Sequence, residues 1–85
     1  MVLVTGGTGL VGSHLLLKLA QQNQSVRALY RKGANLERVK TVFSYYSKNS
    51  KSLYENIEWI EADLNDLPNL TLAFKDITHV YHCAA

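Results

Sequence analysis

The sequence predicts an α/β fold, the first half of a doubly wound parallel sheet with strands in the spatial order 3-2-1-4. Three observations carry that expectation. A short apolar run, Val2 to Thr5, leads straight into a glycine-rich turn that opens a helical pattern. Strand-like runs then alternate with helical periodicities, as they do where crossover helices join parallel strands. The last such run is Thr78 to Ala85. Four strands joined by right-handed crossovers, with the winding reversed between the first and the fourth, give the order 3-2-1-4.

The first strand, about Val2 to Thr5, is apolar and β-branched, which suits a strand buried on both faces. Gly6, Gly9 and Gly12 follow at intervals of three. Each missing Cβ has its own use in such a turn. Gly6 lets the chain reverse at the strand end, Gly9 lets backbone amides approach a pyrophosphate, and Gly12 lets the helix pack closely on the sheet. The helix start adds free N–H groups and the positive end of its dipole. The expected phosphate-binding set is therefore Gly6, Thr8, Gly9, Leu10, Val11 and Gly12. A strand before the glycines and a helix after them is the context that makes the triplet informative.

The helix runs from Leu10 to about Gln22. Val11, Leu15, Leu16, Leu19 and Ala20 recur at three- and four-residue spacings and are expected to face the core, with Ser13, His14, Lys18 and Gln21 on the other side. Asn23 is the expected stop. His14 has no acid or cysteine near it in sequence and reads as a surface histidine.

Ser25 to about Tyr30 is the second strand, and the residues after it bear on the cofactor. In an NAD site an Asp or Glu about 20 residues beyond the glycines bonds the ribose 2′-OH, whereas an Arg accommodates the 2′-phosphate of NADP. Here that place holds Arg31 and Lys32, and no carboxylate occurs between Gly12 and Glu37. An Arg grips a phosphate bidentately and a Lys adds point charge, so NADP is the expected cofactor and NAD the alternative.

Gly33 to Asn56 separates this strand from the next. Its first part reads as a helix with Leu36, Val39, Val42 or Phe43, and Tyr46 on one face, the aromatics serving core or interface. Ser47 to Ser52 reads as a polar loop. Ile57 to Ala62 alternates apolar and acidic residues, as in a third strand with one covered face. Beyond it, Pro68 and Leu70 lead into a short helix to about Lys75, for which Asp63 is a candidate N-terminal cap.

Composition narrows the function. Eighty-five residues make one small domain, which buries only about 60–65% of its unfolded surface. One cysteine permits no intrachain disulfide and no metal-ligand cluster, and Cys83 reads as a small buried hydrophobe. Met1 leads directly into a strand with no basic region and cleavage site before it, and no apolar run approaches the ~18 residues of a membrane span. A cytoplasmic protein is expected, without membrane attachment. The net charge of +2 hides an asymmetry: Arg27, Arg31, Lys32, Arg38, Lys40, Lys48 and Lys51 face one acid, Glu37, whereas six acids from Glu55 onward face only Lys75. The basic half is suited to an anion. No groove-reading element accompanies it, so nucleic acid is not an expected partner.

Thr5-Gly-Gly-Thr-Gly-Leu-Val-Gly12 resembles the T-G-x-x-G-x-x-G signature of the extended short-chain dehydrogenase/reductase family, which includes nucleotide-sugar epimerases, dehydratases and dihydroflavonol-reductase-like enzymes. The last strand, Thr78-His-Val-Tyr-His-Cys-Ala-Ala85, is similar to the family's D-x-V-h-H-x-A-A strand, with Asp76 displaced by one residue through the extra Thr78. The resemblance covers the whole chain and implies a Rossmann fold. It also implies that Asp63 accepts from the adenine amino group, that Leu64 packs on the ring, and that Ala84 and Ala85 let backbone approach the ribose and diphosphate. His82 then serves packing and hydrogen bonding rather than acid–base work.

The family's catalytic Tyr-x-x-x-Lys pair is absent: Tyr30, Tyr45, Tyr46, Tyr54 and Tyr81 are followed four residues later by Ala34, Asn49, Ser50, Glu58 and Ala85. The resemblance therefore implies the N-terminal half of an NAD(P)-binding domain, with catalytic and substrate-binding parts elsewhere and no catalytic residue here. The parent is expected to be an NADP-dependent oxidoreductase of the dihydroflavonol-reductase-like kind acting on a small molecule. A nucleotide-sugar epimerase or dehydratase, or a non-catalytic dinucleotide-binding regulator, is the alternative. A fourth strand without a fifth beside it, about His79 to Ala84, would leave a bare edge, so association with further copies is expected.

Overall fold

The computed structural model describes residues 1–62, 65 and 67–83, with the backbone alone at 69. The elements are β1 (Val2–Thr5), α1 (Leu10–Gln21), β2 (Val26–Tyr30), α2 (Leu36–Tyr46), α3 (Ser50–Glu55), β3 (Glu58–Glu61), α4 (Leu67–Ala73) and β4 (His79–His82). The four strands form one parallel sheet in the order β3-β2-β1-β4. This is the half of a doubly wound sheet read from the sequence.

Strand register divides the side chains between two faces. Val2 lies beside Val26 and Val4 beside Ala28, and all four join the main core with Leu16, Leu17, Leu19 and Ala20 of α1, Val39 and Phe43 of α2 and Leu53 of α3. Each fully buried aliphatic or aromatic side chain here contributes roughly 1.5–3 kcal/mol. Leu3, beside Arg27, points to the other face and is also fully buried. On that face Arg27 reaches the last turn of α4, so the sheet is sandwiched between α1, α2 and α3 on one side and α4 on the other.

The ends of α1 follow from its sequence. Gly9 is its N-cap in extended conformation, with no side-chain cap. At the other end Asn23 takes a left-handed φ of 59°, its N–H donating to Ala20 and that of Gln24 to Leu19. That pair of bonds is a Schellman motif, with Asn in place of the usual Gly. Asn35 caps α2, its side chain accepting from the N–H of Arg38 at 3.1 Å.

The structure corrects several expectations. Ser13 is fully buried and Leu17 joins the core, whereas Val11 is 71% exposed. The buried stripe of α1 is thus rotated toward the glycine turn, against which Gly12 and Ser13 pack. Tyr46 is exposed, and its ring meets His14 edge-on at 5.4 Å. The expected polar loop ends early, because Ser50–Glu55 is a helix. Its anchors lie beyond the polar stretch: Leu53 is buried and Tyr54 packs edge-on against Phe43 and obliquely against Trp59. Two such contacts are enough for packing to override a weak local pattern. In β3 the apolar neighbours Trp59 and Ile60 point to opposite faces and both are half-buried, so the strand has no single covered face.

Candidate dinucleotide site

The carboxyl ends of β1 and β4 lie side by side, with Thr5 paired to His82. Thr5 Oγ1 and His82 Nδ1 are 2.5 Å apart, and the Cys83 N–H donates to the Thr5 carbonyl at 2.9 Å. Since β1 and β4 connect to helices on opposite faces, this is the reversal point at which open α/β sheets place a ligand. The glycine turn leaves the sheet here.

The glycines of this turn are small for different reasons. Gly6 has φ +70°, and a Cβ there would collide with the Cys83 carbonyl oxygen. At Gly12 a Cβ would collide with the Gly6 carbonyl oxygen and come within 2.7 Å of the Gly7 Cα. Gly12 therefore packs on the turn itself, where the sequence had suggested the sheet. At Gly7, which the spacing of the triplet does not single out, a Cβ would come within 2.8 Å of Leu16 Cδ1. Gly9 is different. Its φ and ψ of −75° and 173° suit any residue, and among the described residues a Cβ would meet only the Gly6 carbonyl oxygen at an ordinary 3.6 Å. Nothing among the described residues requires a glycine at 9, so a cradle left clear at this point fits a group from outside.

Electrostatics agree with an anion there. The N–H groups of Leu10, Val11 and Gly12 have no partner among the described residues, no acid lies in the first turn of α1, and Leu10 and Val11 are exposed. The positive end of the helix dipole is left without a counter-charge from its own first turn. Gly6, Thr8, Gly9, Leu10 and Val11 are at least partly exposed along the turn and helix start, whereas Gly12 is buried beneath them.

Arg31 and Lys32 leave the same edge of the sheet, because β2 runs parallel to β1 and ends at Tyr30. The Arg31 carbonyl accepts from the Ala34 N–H at 2.9 Å, with Gly33 at φ 85°, so the pair stands on a tight turn. Both side chains are exposed and neither has an ion-pair or hydrogen-bond partner among the described residues. Asp63, Leu64, Ala84 and Ala85, the remaining expected contacts, lie outside the described residues.

The basic half of the sequence does not act as a unit. Arg27 is buried; its Nη1 donates to the carbonyls of Leu72 (3.1 Å), Ala73 (2.8 Å) and Lys75 (2.8 Å). Its Nε lies 3.3 Å from a Glu58 carboxylate oxygen, close enough for an ion pair but not aligned for a hydrogen bond. Lys40 pairs with Glu37 and sits 5.2 Å above the Tyr54 ring. Burial holds the Tyr54 phenol above the ordinary tyrosine range; Lys40 opposes this, and Glu37 and Tyr30 add to it. A groove of about 490 Å³ between α2 and α3, lined in part by Lys40, Lys51 and Tyr54, has no lining residue from the glycine turn or from Arg31 and Lys32. No cluster of metal-ligating side chains occurs among the described residues.

A half doubly wound sheet with a glycine turn and an uncapped helix start at its reversal point defines a dinucleotide-binding α/β protein. Residues 2–85 match the model of the NAD dependent epimerase/dehydratase family, and the chain belongs to that family. It is 35% identical over 83 residues to dihydroflavonol 4-reductase of Hordeum vulgare, covering 98% of this chain and 22% of the relative. It is 36% identical over 85 residues to a Methanocaldococcus jannaschii protein assigned as a UDP-glucose 4-epimerase, covering all of this chain and 24% of the relative. Among solved structures it resembles AtPrR2 with NADP+ and (+)pinoresinol, at a TM-score of 0.71 and 26% identity, covering 99% of this chain and 25% of that one. The chain therefore spans about a quarter or less of the length of these proteins. Family membership and the NADP+-bound neighbour support a nicotinamide dinucleotide as the cofactor class. No helix of the described residues is long and apolar enough to cross a membrane.

Proposed function

We propose that this chain is the NADP-binding part of an oxidoreductase similar to the dihydroflavonol-reductase-like carbonyl reductases, and that it forms the N-terminal half of their dinucleotide-binding domain. One observation supports this above the others: Arg31 and Lys32, exposed and without partners among the described residues, stand where an NAD-selecting carboxylate would otherwise be. A nicotinamide ring supplies hydride chemistry when bound. The chain's own residues bind and orient. The turn from Gly6 to Gly12 offers backbone N–H groups to a diphosphate, Gly9 leaves room for it, and Arg31 and Lys32 hold the 2′-phosphate. Asp63 and Leu64 would take the adenine, and Ala84 and Ala85 the ribose and diphosphate.

Proton transfer to a carbonyl beside the nicotinamide belongs to residues outside this chain, which has no Tyr-x-x-x-Lys pair. The small-molecule substrate and its pocket belong there too, and a cytoplasmic location goes with this reading. The 36% identity to the archaeal relative favours a second reading, a nucleotide-sugar epimerase or dehydratase with the same dinucleotide site. Comparing NADPH and NADH affinities for the wild type and for Arg31→Glu tests the cofactor assignment, and an enzyme assay on a ketone against a UDP-sugar separates the two activities.

A further inference from the structure

The buried hydroxyl of Ser13 lies behind the glycine turn and touches it twice. Ser13 is fully buried, and its Oγ lies 2.7 Å from the Gly9 carbonyl oxygen and 3.2 Å from the Gly7 carbonyl oxygen. A hydroxyl has one proton to donate, so it is shared between two acceptors with Gly9 the nearer. A serine bonded to the carbonyl four residues before it is a common local habit of helices. The second contact, to a residue six positions back and outside the helix, is not. It ties the first turn of α1 across to the turn that precedes it.

The consequence follows from peptide geometry. In a trans peptide the C=O and the N–H of one unit point in opposite directions. The Gly7 carbonyl is drawn toward Ser13, so the Thr8 N–H of the same unit points away from it. The Gly9 carbonyl is also drawn toward Ser13, so the Leu10 N–H points away as well. Neither N–H has a partner among the described residues. No cis peptide occurs among them to break this relation. The Gly9 carbonyl also accepts the Ser13 N–H at 2.9 Å, so the buried hydroxyl reinforces the Gly9–Leu10 plane and by itself sets the Gly7–Thr8 plane; the donors of both face the open side of the turn, where Leu10 is 63% exposed.

We propose that Ser13 is a positioning residue for the dinucleotide's diphosphate: it touches no ligand but aims the Thr8 N–H at it and steadies the Leu10 N–H. This rests on the reading of the turn as the diphosphate site. Without the hydroxyl the Gly7–Thr8 plane is free to rotate while the Gly9–Leu10 plane keeps its backbone bond, and part of the binding energy goes into ordering the first. The loss falls on ligands that carry a diphosphate. A ligand that engages only the adenine and 2′-phosphate ends of the site keeps its affinity.

The test is calorimetric titration of the protein at its full natural length with NADPH and, separately, with adenosine 2′-monophosphate, which has no diphosphate. Ser13→Ala is expected to weaken NADPH about ten-fold, the scale of one lost buried hydrogen bond, and to leave the monophosphate within about two-fold of wild type. Ser13→Cys, a close isostere with a weak donor, is expected to fall between and covers the case in which the alanine variant does not fold. Equal NADPH affinity in wild type and in either folded variant overturns the role of Ser13. So does a parallel loss for both ligands, which is what a loosened fold would produce. Failure of wild type to bind NADPH while the monophosphate still binds overturns the diphosphate site itself, and the role of Ser13 with it.

Discussion

Arg27 and Ala73, 46 residues apart, are joined by a buried hydrogen bond of 2.8 Å from the guanidinium to the carbonyl. The same Nη1 also serves Leu72 and Lys75, so one cation closes the carboxyl end of α4. Last-turn carbonyls lack partners within their own helix, and a cation there complements the dipole. Arg27→Met should cost about 1–3 kcal/mol, because it leaves the buried Ala73 carbonyl without its donor. Arg27→Lys should recover part of this, since all three bonds come from one nitrogen and an ammonium also carries three donors. Glu58→Gln should cost less than about 1 kcal/mol, its carboxylate being half exposed. Urea denaturation of the three variants checks this order.

Gly9 and Gly12 should part company under the same substitution. Gly12→Val drives a branched side chain into the backbone of Gly6 and Gly7, and a loss of several kcal/mol or failure to fold is expected. At Gly9 a Cβ makes only an ordinary contact among the described residues and the backbone conformation is ordinary, so the melting temperature of Gly9→Val should stay near wild type while dinucleotide binding is lost. Melting curves and NADPH titrations on both variants distinguish a glycine needed by the fold from one needed by a ligand. Wild-type NADPH affinity in Gly9→Val would mean that the phosphates lie elsewhere.

Tyr54 gives stability an alkaline limit. Burial raises its pKa in the folded state, so between the ordinary value of about 10 and the folded one the unfolded chain releases a proton that the native chain keeps. Its contribution is complete below about pH 10 and declines as pH rises through the folded pKa. Tyr54→Phe should lose stability less steeply above pH 10 than wild type does. Chemical denaturation at pH 8 and pH 10.5 measures the difference, and parallel pH slopes for the two proteins would contradict it.

The half-sheet was legible because its signals are local. Period and length marked the strands and most helices, and three glycines between a strand and a helix located the turn. What escaped depends on contacts made only once the chain is folded. Ser13 looked like a polar-face residue, since a single hydroxyl in a helix carries no mark of the two carbonyls it meets. Arg27 looked like part of a basic surface, since nothing near it in sequence shows that α4 ends against it. In α3 the signal was split, with polar Ser50 to Ser52 in the first turn and the anchoring Leu53 and Tyr54 after it.

The free edge of β4 sets an expectation for the 85-residue chain expressed alone. Among the described strands β4 pairs only with β1, and Val80 and Tyr81 are 50% and 42% exposed. An apolar strand with an open edge is a template for another chain. Self-association at micromolar concentration is expected, without NADPH-dependent reduction of a carbonyl. Light scattering behind a sizing column reads the first; a monodisperse 9.5 kDa species would contradict it. Any turnover by the purified chain would contradict the second.

The assignment of the cofactor turns on Arg31. Titrating the full-length wild type and Arg31→Glu with NADPH and with NADH, at one fixed ionic strength, tests it most directly, because only NADPH carries the additional phosphate and screening would otherwise confuse the comparison. The expected result is tighter binding of NADPH by the wild type and at least a ten-fold loss of NADPH affinity in the variant, with NADH changed less than about two-fold. Equal losses for both cofactors, or a wild type that prefers NADH, would contradict the NADP site.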